Sequence, residues 1–328
     1  MNAARVRLWL GKLKLLLMNL SQLLMVGLPA DNDLSFVFEF NPAGVILMGR
    51  NARPASEIRA LTEELRGLLI ASDHEGGRVQ RLKDGFSVLP TAREVGRGGP
   101  QNVRQTARKV ADELASAGIN FNFAPVCDVP VHEGDTVIGA RAFSTDFSKA
   151  GELASAYIEG LQTQVGACAK HFPGHGGVGL DSHLGLPIFE GTREELEPHL
   201  QPFRAAIEAR VAAMMVAHIG VPCLDQTLAP ASLSKPIITG LLRDELRFEG
   251  LVVSDDLEMG ALDSLGAGEV AVRALDAGCD LLLFCHTKQK AIEARDAIEV
   301  ALKSGRLERQ RVEDALDNVA RFKRRFGC

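Results

Sequence analysis

Short, continuously apolar runs of strand length recur along the chain: LLMVGL (23–28), GVILM (44–48), LLIASD (68–73), FNFAPV (121–126), ACAKHF (167–172), AMMVAH (213–218), GLVVSD (250–255) and CDLLLFC (279–285). They do not alternate polar with apolar positions, and an unbroken apolar run is what a strand buried on both faces of a parallel sheet carries. Most of the intervals show helical spacing instead. Ile58, Leu61 and Leu65 share one face, as do Val103, Ala107, Val110 and Leu114, and finally Val312, Leu316, Val319 and Phe322. Strand and helix therefore alternate. Eight such units in 328 residues predict an α/β chain folded as one (β/α)8 TIM-type barrel. No GxGxxG follows the first run, which argues against a doubly wound dinucleotide fold.

In such a barrel the chemistry sits where strands end and the βα loops begin. The polar residues of this chain fall in that register. Asp73 ends the third run, Asp128 follows the fourth, Lys170 and His171 lie in the fifth, His218 ends the sixth, Asp255 ends the seventh and His286 follows the eighth.

Composition narrows the partners. The chain is 46% hydrophobic with a formal net charge of -5, and no cluster of Lys and Arg is interleaved with aromatics, so nucleic acid is excluded and a small molecule is expected. Six scattered cysteines without a CxxC pair predict reduced thiols in a cytoplasmic protein. The first thirty residues resemble a signal peptide in their leucine content, but Lys12 and Lys14 interrupt the apolar stretch and residues 23–28 are needed as a strand. The expectation is an uncleaved extension over residues 1–20, with Met18 as an alternative start, followed by a catalytic barrel over 21–328. A monomer off the membrane is expected.

Three loops carry candidate chemistry. GLVVSDDLEMGA (250–261) puts Asp255 and Asp256 after a buried strand: Asp255 is the candidate nucleophile, whereas Asp256 or Ser254 is expected to cap a helix beginning near Leu257. SDHEGGRVQRL (72–82) offers Asp73, Glu75, Arg78 and Arg81, able to grip vicinal hydroxyls of a sugar or to form an internal salt bridge. Arg141, in VIGARAF (137–143), stands alone among apolar residues, where an arginine is most often a solvated surface charge. The loop KHFPGHGGVGLDSHLGLP (170–187) supports three readings. Its His171, His175, Asp181 and His183 match no standard zinc spacing, so no metal is expected. Lys170 is a Schiff-base candidate only with a lowered pKa. Asp181 and His183 can instead form a proton-transfer pair, with the carboxylate holding the imidazole tautomer. His175 reads as loop structure.

Taken together, DHEGGRVQRL, FAPVCDV, VIGARAF, KHFPGHG with DSH four residues on, AHIGVP, PASLS and GLVVSDDLEM resemble glycoside hydrolase family 3, specifically its single-domain bacterial β-N-acetylhexosaminidases of peptidoglycan recycling. The resemblance runs from about Ser21 to the final helix. His74 departs from it, standing where the family usually has glutamine. It implies Asp255 as the nucleophile that forms a covalent glycosyl-enzyme, His183 as general acid and base paired with Asp181, and sugar binding by Asp73, Arg81, Arg141, Lys170 and His171. It also implies that no cofactor is needed.

A retaining mechanism needs a nucleophile beside a proton donor. An imidazole, with its ordinary pKa of about 6.5, serves as that donor near neutrality. Trp9 and Tyr157 are the only Trp and Tyr, so a long aromatic cleft is not expected. That scarcity favours an exo-acting pocket that takes one terminal sugar, and the resemblance implies that the sugar is GlcNAc removed from GlcNAc-anhydroMurNAc muropeptides. A phosphorylase, another family 3 β-glycosidase, a substrate-assisted mechanism, a metal-dependent hydrolase and a non-catalytic sugar binder are the competing readings.

Overall fold

Every one of the eight apolar runs contains a strand. In the computed structural model, which describes residues 18–131, 135–178 and 185–327, these are β1 (Leu24–Gly27), β2 (Gly44–Leu47), β3 (Leu69–Ser72), β4 (Phe121–Asn122), β5 (Gly166–Phe172), β6 (Ala213–Val216), β7 (Leu251–Asp256) and β8 (Leu281–Phe284). Each pairs in parallel with the next, and β8 closes onto β1 with Leu24 opposite Leu282 and Val26 opposite Phe284. The closed eight-stranded barrel is the predicted fold.

The strands are apolar throughout because both of their faces are buried. Along β7, Leu251 and Val253 point into the barrel with Met25, Ile46, Met215 and Leu283, while Val252 joins the layer between sheet and helices. Burying a side chain of this size stabilises by about 1.5–3 kcal/mol, so neither face tolerates a polar alternation.

The surrounding helices are α1 (Ser35–Phe40), α2 (Ala55–Glu64), α3 (Ala92–Arg97), α4 (Gly99–Ser116), α5 (Phe147–Leu161), α6 (Arg193–Glu208), α7 (Ala267–Ala277), α8 (Lys288–Ser304) and α9 (Arg309–Arg325), with a π-helix over Pro236–Glu245. The three helical spacings noted in the sequence fall on α2, α4 and α9. Thr91 with Glu94 and Thr192 with Glu195 form capping boxes that start α3 and α6. No helix among the described residues is long and apolar enough to cross a membrane.

The lower end of the barrel is plugged by α9. Phe322 packs against Phe121 in a tilted arrangement with ring centroids 4.4 Å apart. Gly166 makes room for it, since a Cβ there would collide with the Phe322 ring. Asp280, buried just before β8, accepts from Arg243 (2.7 Å), Arg311 (2.5 Å), Asn318 (3.1 Å) and the Val252 amide (2.9 Å), tying the π-helix and α9 to the start of the strand.

Two local expectations differ. The segment after β3 is a short hairpin, His74–Gly76 paired with Val79–Gln80, too brief to show as a periodic run. No α-helix begins near Leu257. Ser254 accepts from Leu283 N (3.1 Å) and Asp256 from Glu258 N (3.2 Å) and Cys285 N (3.3 Å), so both oxygens join β7 to its neighbours. The next α-helix starts at Ala267.

Candidate active site

The upper strand ends surround a cavity of about 380 Å³ whose lining includes Asp73, Glu75, Arg78, Arg81, Arg141, Lys170, His171, Asp255 and Asp256. Glu75 is the centre of its ion network. Its carboxylate accepts from Arg141 at two points, Nε and Nη2, both at 2.8 Å, and from Lys170 Nζ at 2.7 Å. Lys170 also reaches Asp73 at 2.6 Å, and Arg81 lies 3.8 Å from the other Asp73 oxygen. The hairpin that carries Glu75 is held by Asn122 of β4, whose side chain bonds both the amide and the carbonyl of His74 (3.0 and 3.1 Å).

Asp128 organises the opposite wall. It is fully buried and accepts from the amides of His171 (3.1 Å) and His175 (2.7 Å) and from His171 Nδ1 (2.6 Å). An ionised carboxylate there places the His171 proton on Nδ1 and leaves Nε2 for a pocket ligand. His218 is oriented in the opposite sense. Its Nε2 donates to the Asp256 carbonyl (2.9 Å), so Nδ1 accepts from Ser232 (2.7 Å). Burial lowers its pKa, which keeps the ring neutral.

The electrostatics divide the acids from the bases. Burial by itself raises the pKa of Asp255, but His171, His218, the Asp256 amide and Lys170 bring it below the ordinary aspartate value. Asp255 is therefore anionic at neutral pH and partly exposed to the cavity. Glu75, despite its burial, is held far below the usual carboxylate range by Lys170 and Arg141. Burial lowers the pKa of Lys170, yet Asp73 and Glu75 outweigh it and the net shift is upward. A Schiff-base lysine needs the reverse, so that reading of Lys170 is overturned.

The sequence agrees with this geometry. Residues 16–322 match the model of the glycosyl hydrolase family 3 N terminal domain. The chain belongs to glycosyl hydrolase family 3. It is 42% identical over 272 residues to a beta-hexosaminidase of Thiobacillus denitrificans, covering 78% of this chain and 75% of that one. A beta-hexosaminidase of Idiomarina loihiensis is 40% identical, with 77% of this chain and 79% of the relative covered. Among solved structures, the family 3 beta-N-acetylglucosaminidase of Paenibacillus sp. str. FPU-7 superposes with a TM-score of 0.91 at 36% identity, covering 94% of this chain. This chain spans 62% of the Paenibacillus one. Beta-N-acetylhexosaminidase of Beutenbergia cavernae superposes at 0.87 with 29% identity, covering 93% of this chain and 97% of that one.

In this family 3 glycoside hydrolase the fold brings together Asp73, Arg81, Arg141, Lys170, His171 and Asp255 around one cavity. Asp181 and His183 lie outside the described residues. Arg141 is not the solvated charge that its isolation suggested: its side chain is 14% exposed and paired with Glu75, 66 residues away. Glu75 serves the internal salt bridge of its two readings. Arg78 donates to the Val137 carbonyl, which ties the hairpin to the loop carrying Arg141.

Asp128 was visible in the sequence only as a strand-end carboxylate, and its role as a three-point acceptor comes from the loop closing around it. His286 sits at the rim, with Nε2 3.2 Å from Asp256, which raises its pKa, and Arg50 3.3 Å from its Nδ1. Among the described residues no group of His, Cys, Asp and Glu is arranged to hold a metal.

Proposed function

We propose that this chain is a retaining exo-β-N-acetylglucosaminidase that removes terminal GlcNAc from GlcNAc-anhydroMurNAc muropeptides in the cytoplasm, during peptidoglycan recycling. The observation that carries the reading is Asp255: an anionic carboxylate among the residues lining the cavity, steadied on one oxygen by the Asp256 amide (2.8 Å), with cationic and imidazole groups holding its pKa down. The beta-hexosaminidase relatives supply the reaction class.

In this scheme the Asp255 carboxylate attacks the anomeric carbon while the His183 imidazolium protonates the departing glycosidic oxygen, giving a glycosyl ester. His183, now neutral, takes a proton from water, the water oxygen bonds to the anomeric carbon, and Asp255 leaves as carboxylate. Asp181 fixes the His183 tautomer. Asp73, Arg81, Arg141, Lys170 and His171 hold the sugar hydroxyls. The cavity volume of about 380 Å³ is near the lower end of the roughly 300–1,000 Å³ of small-molecule sites and suits one terminal sugar better than a long glycan. Five described cysteines are free thiols, which fits a reducing compartment.

The test is turnover of an aryl β-N-acetylglucosaminide and of the muropeptide disaccharide. Asp255→Asn is expected to lose on the order of 10⁴-fold in kcat, the scale on which removing a nucleophile is felt. A 2-fluoro sugar is expected to label Asp255. Wild-type turnover by the variant, or a label elsewhere, refutes the assignment, and release of GlcNAc-1-phosphate in added phosphate replaces hydrolysis by phosphorolysis.

A further inference from the structure

The face of the barrel opposite the catalytic pocket is built from the turns that lead out of helices into strands. Most of these turns pass through one residue with left-handed backbone: Asn41 (φ 52°) before β2, Gly67 (88°) before β3, Gly118 (76°) before β4 and Gly278 (124°) before β8. Glycine and asparagine take that conformation at least cost. Before β6 and β7 the same place is held by Arg210 (57°) and Arg247 (58°). The turn itself does not ask for arginine. Val211 N donates to Ala206 O at 3.0 Å, the bond that Ile119 N makes to Leu114 O and Cys279 N to Ala274 O (both 2.9 Å) around Gly118 and Gly278.

Within the described residues nothing rewards the strained arginines. Neither guanidinium makes a hydrogen bond or ion pair, and both are exposed. Attraction to the negative helix ends is available equally from an ordinary position in the last helical turn, so it does not account for the left-handed placement. Both residues line a cavity of about 520 Å³, and Arg321 and Arg325, from the end of α9, line it with them. Arg325 stacks on Phe326, and Arg321 has no partner of either kind. Against these four guanidiniums the lining holds a single carboxylate, Glu249, in a chain whose net charge is -5.

We infer that this cavity binds a compact multivalent anion bearing phosphate, of sugar-phosphate or nucleotide size. Guanidinium forks match phosphate oxygens two at a time, and four of them suit a di- or trianion better than a lone carboxylate. The cavity has the volume of a small-molecule site, and the Asn318 amide in its wall offers both a donor and an acceptor to the rest of the ligand. The site lies across the barrel from Asp255 and is independent of the reaction proposed there.

Inorganic pyrophosphate is the probe, titrated calorimetrically into the full chain at low ionic strength, with thermal unfolding followed in parallel. Saturable binding is expected. Arg210→Asn with Arg247→Asn keeps residues suited to the left-handed turns and removes the charges. It is expected to weaken pyrophosphate by at least about 10-fold, with hydrolysis of the aryl glycoside unchanged and the unliganded midpoint equal or higher. Arg321→Gln with Arg325→Gln, both exposed on α9, gives the second arm and should weaken binding likewise. No saturable binding by the wild type, or unaltered affinity in the variants, overturns the inference. So does a fall of the unliganded midpoint by more than about 3 °C in the Arg210/Arg247 variant, since the arginines would then serve the fold.

Discussion

Replacing Glu75 by glutamine removes one charge from the middle of a buried network and leaves its shape almost unchanged. The wild-type carboxylate accepts three charge-assisted hydrogen bonds, two from Arg141 at 2.8 Å and one from Lys170 at 2.7 Å. A glutamine oxygen placed where Oε1 stands can keep the bonds from Arg141 Nη2 and Lys170, but its amide nitrogen must then face Arg141 Nε. Lys170 also retains Asp73 at 2.6 Å, whereas Arg141 loses its two-point grip and keeps, besides the single bond from Nη2, the Val137 carbonyl at 3.2 Å. One lost charge-assisted bond at about 1.5–3 kcal/mol, together with the loss of the charge that Arg141 and Lys170 share, predicts a destabilisation of at least about 1.5–3 kcal/mol, up to the roughly 3–5 kcal/mol of a broken buried ion pair.

Urea unfolding at pH 7 measures the loss, and steady-state kinetics should show KM raised more than kcat lowered, since Glu75 bonds to Arg141 and Lys170 rather than to Asp255. The pH dependence has a definite sign. Glu75 titrates in the folded chain far below the ordinary value of 4.5, so its stabilisation is complete above about pH 4.5 and is lost as pH falls through the lower folded value. The difference between wild type and variant is therefore flat from pH 5 to 8 and shrinks in acid. A destabilisation under about 1 kcal/mol, the worth of an exposed pair, or an unchanged KM refutes the view that Glu75 fixes the cations proposed to hold the sugar.

Other outcomes follow from the same geometry. Asp128→Asn removes the buried charge that fixes His171 Nδ1 as a donor and turns an amide N–H toward either His171 or the His175 amide, so it should lower kcat/KM by about 10-fold or more, while the His171→Gln variant should show no further loss on adding it; additive losses would disprove the coupling. Asp280→Asn should cost about 3–5 kcal/mol in urea unfolding with kcat intact at 25 °C, because Arg243 and Arg311 lose the buried negative charge they share far from the pocket, and an amide N–H faces one of them. Gly166→Val should lower the thermal midpoint by forcing Phe322 off Phe121, and an unchanged midpoint would show that α9 does not plug the barrel.

The barrel was legible from periodicity because its cause is local: strands buried on both faces must be apolar at consecutive positions, and each of the eight runs carries a strand of the closed sheet. The end-of-strand register of Asp73, Lys170, His171 and Asp255 was legible for the same reason, since strand direction decides which end holds the loops. The short hairpin after Ser72 was not, because two or three residues carry no period. The helix expected at Leu257 fails because a carboxylate after a strand looks alike whether it caps a helix or accepts from the neighbouring strand, and only the β7 to β8 pairing chooses between them. Arg141 makes the distinction clearest. By itself the sequence determines an apolar loop with one charge, whereas closure of the barrel brings Glu75 to it and turns a surface arginine into a buried one. Residue types and their order fix which groups can reach the mouth of the barrel; which carboxylate meets which cation is a long-range matter, decided when desolvation makes every unpaired charge too costly to leave alone.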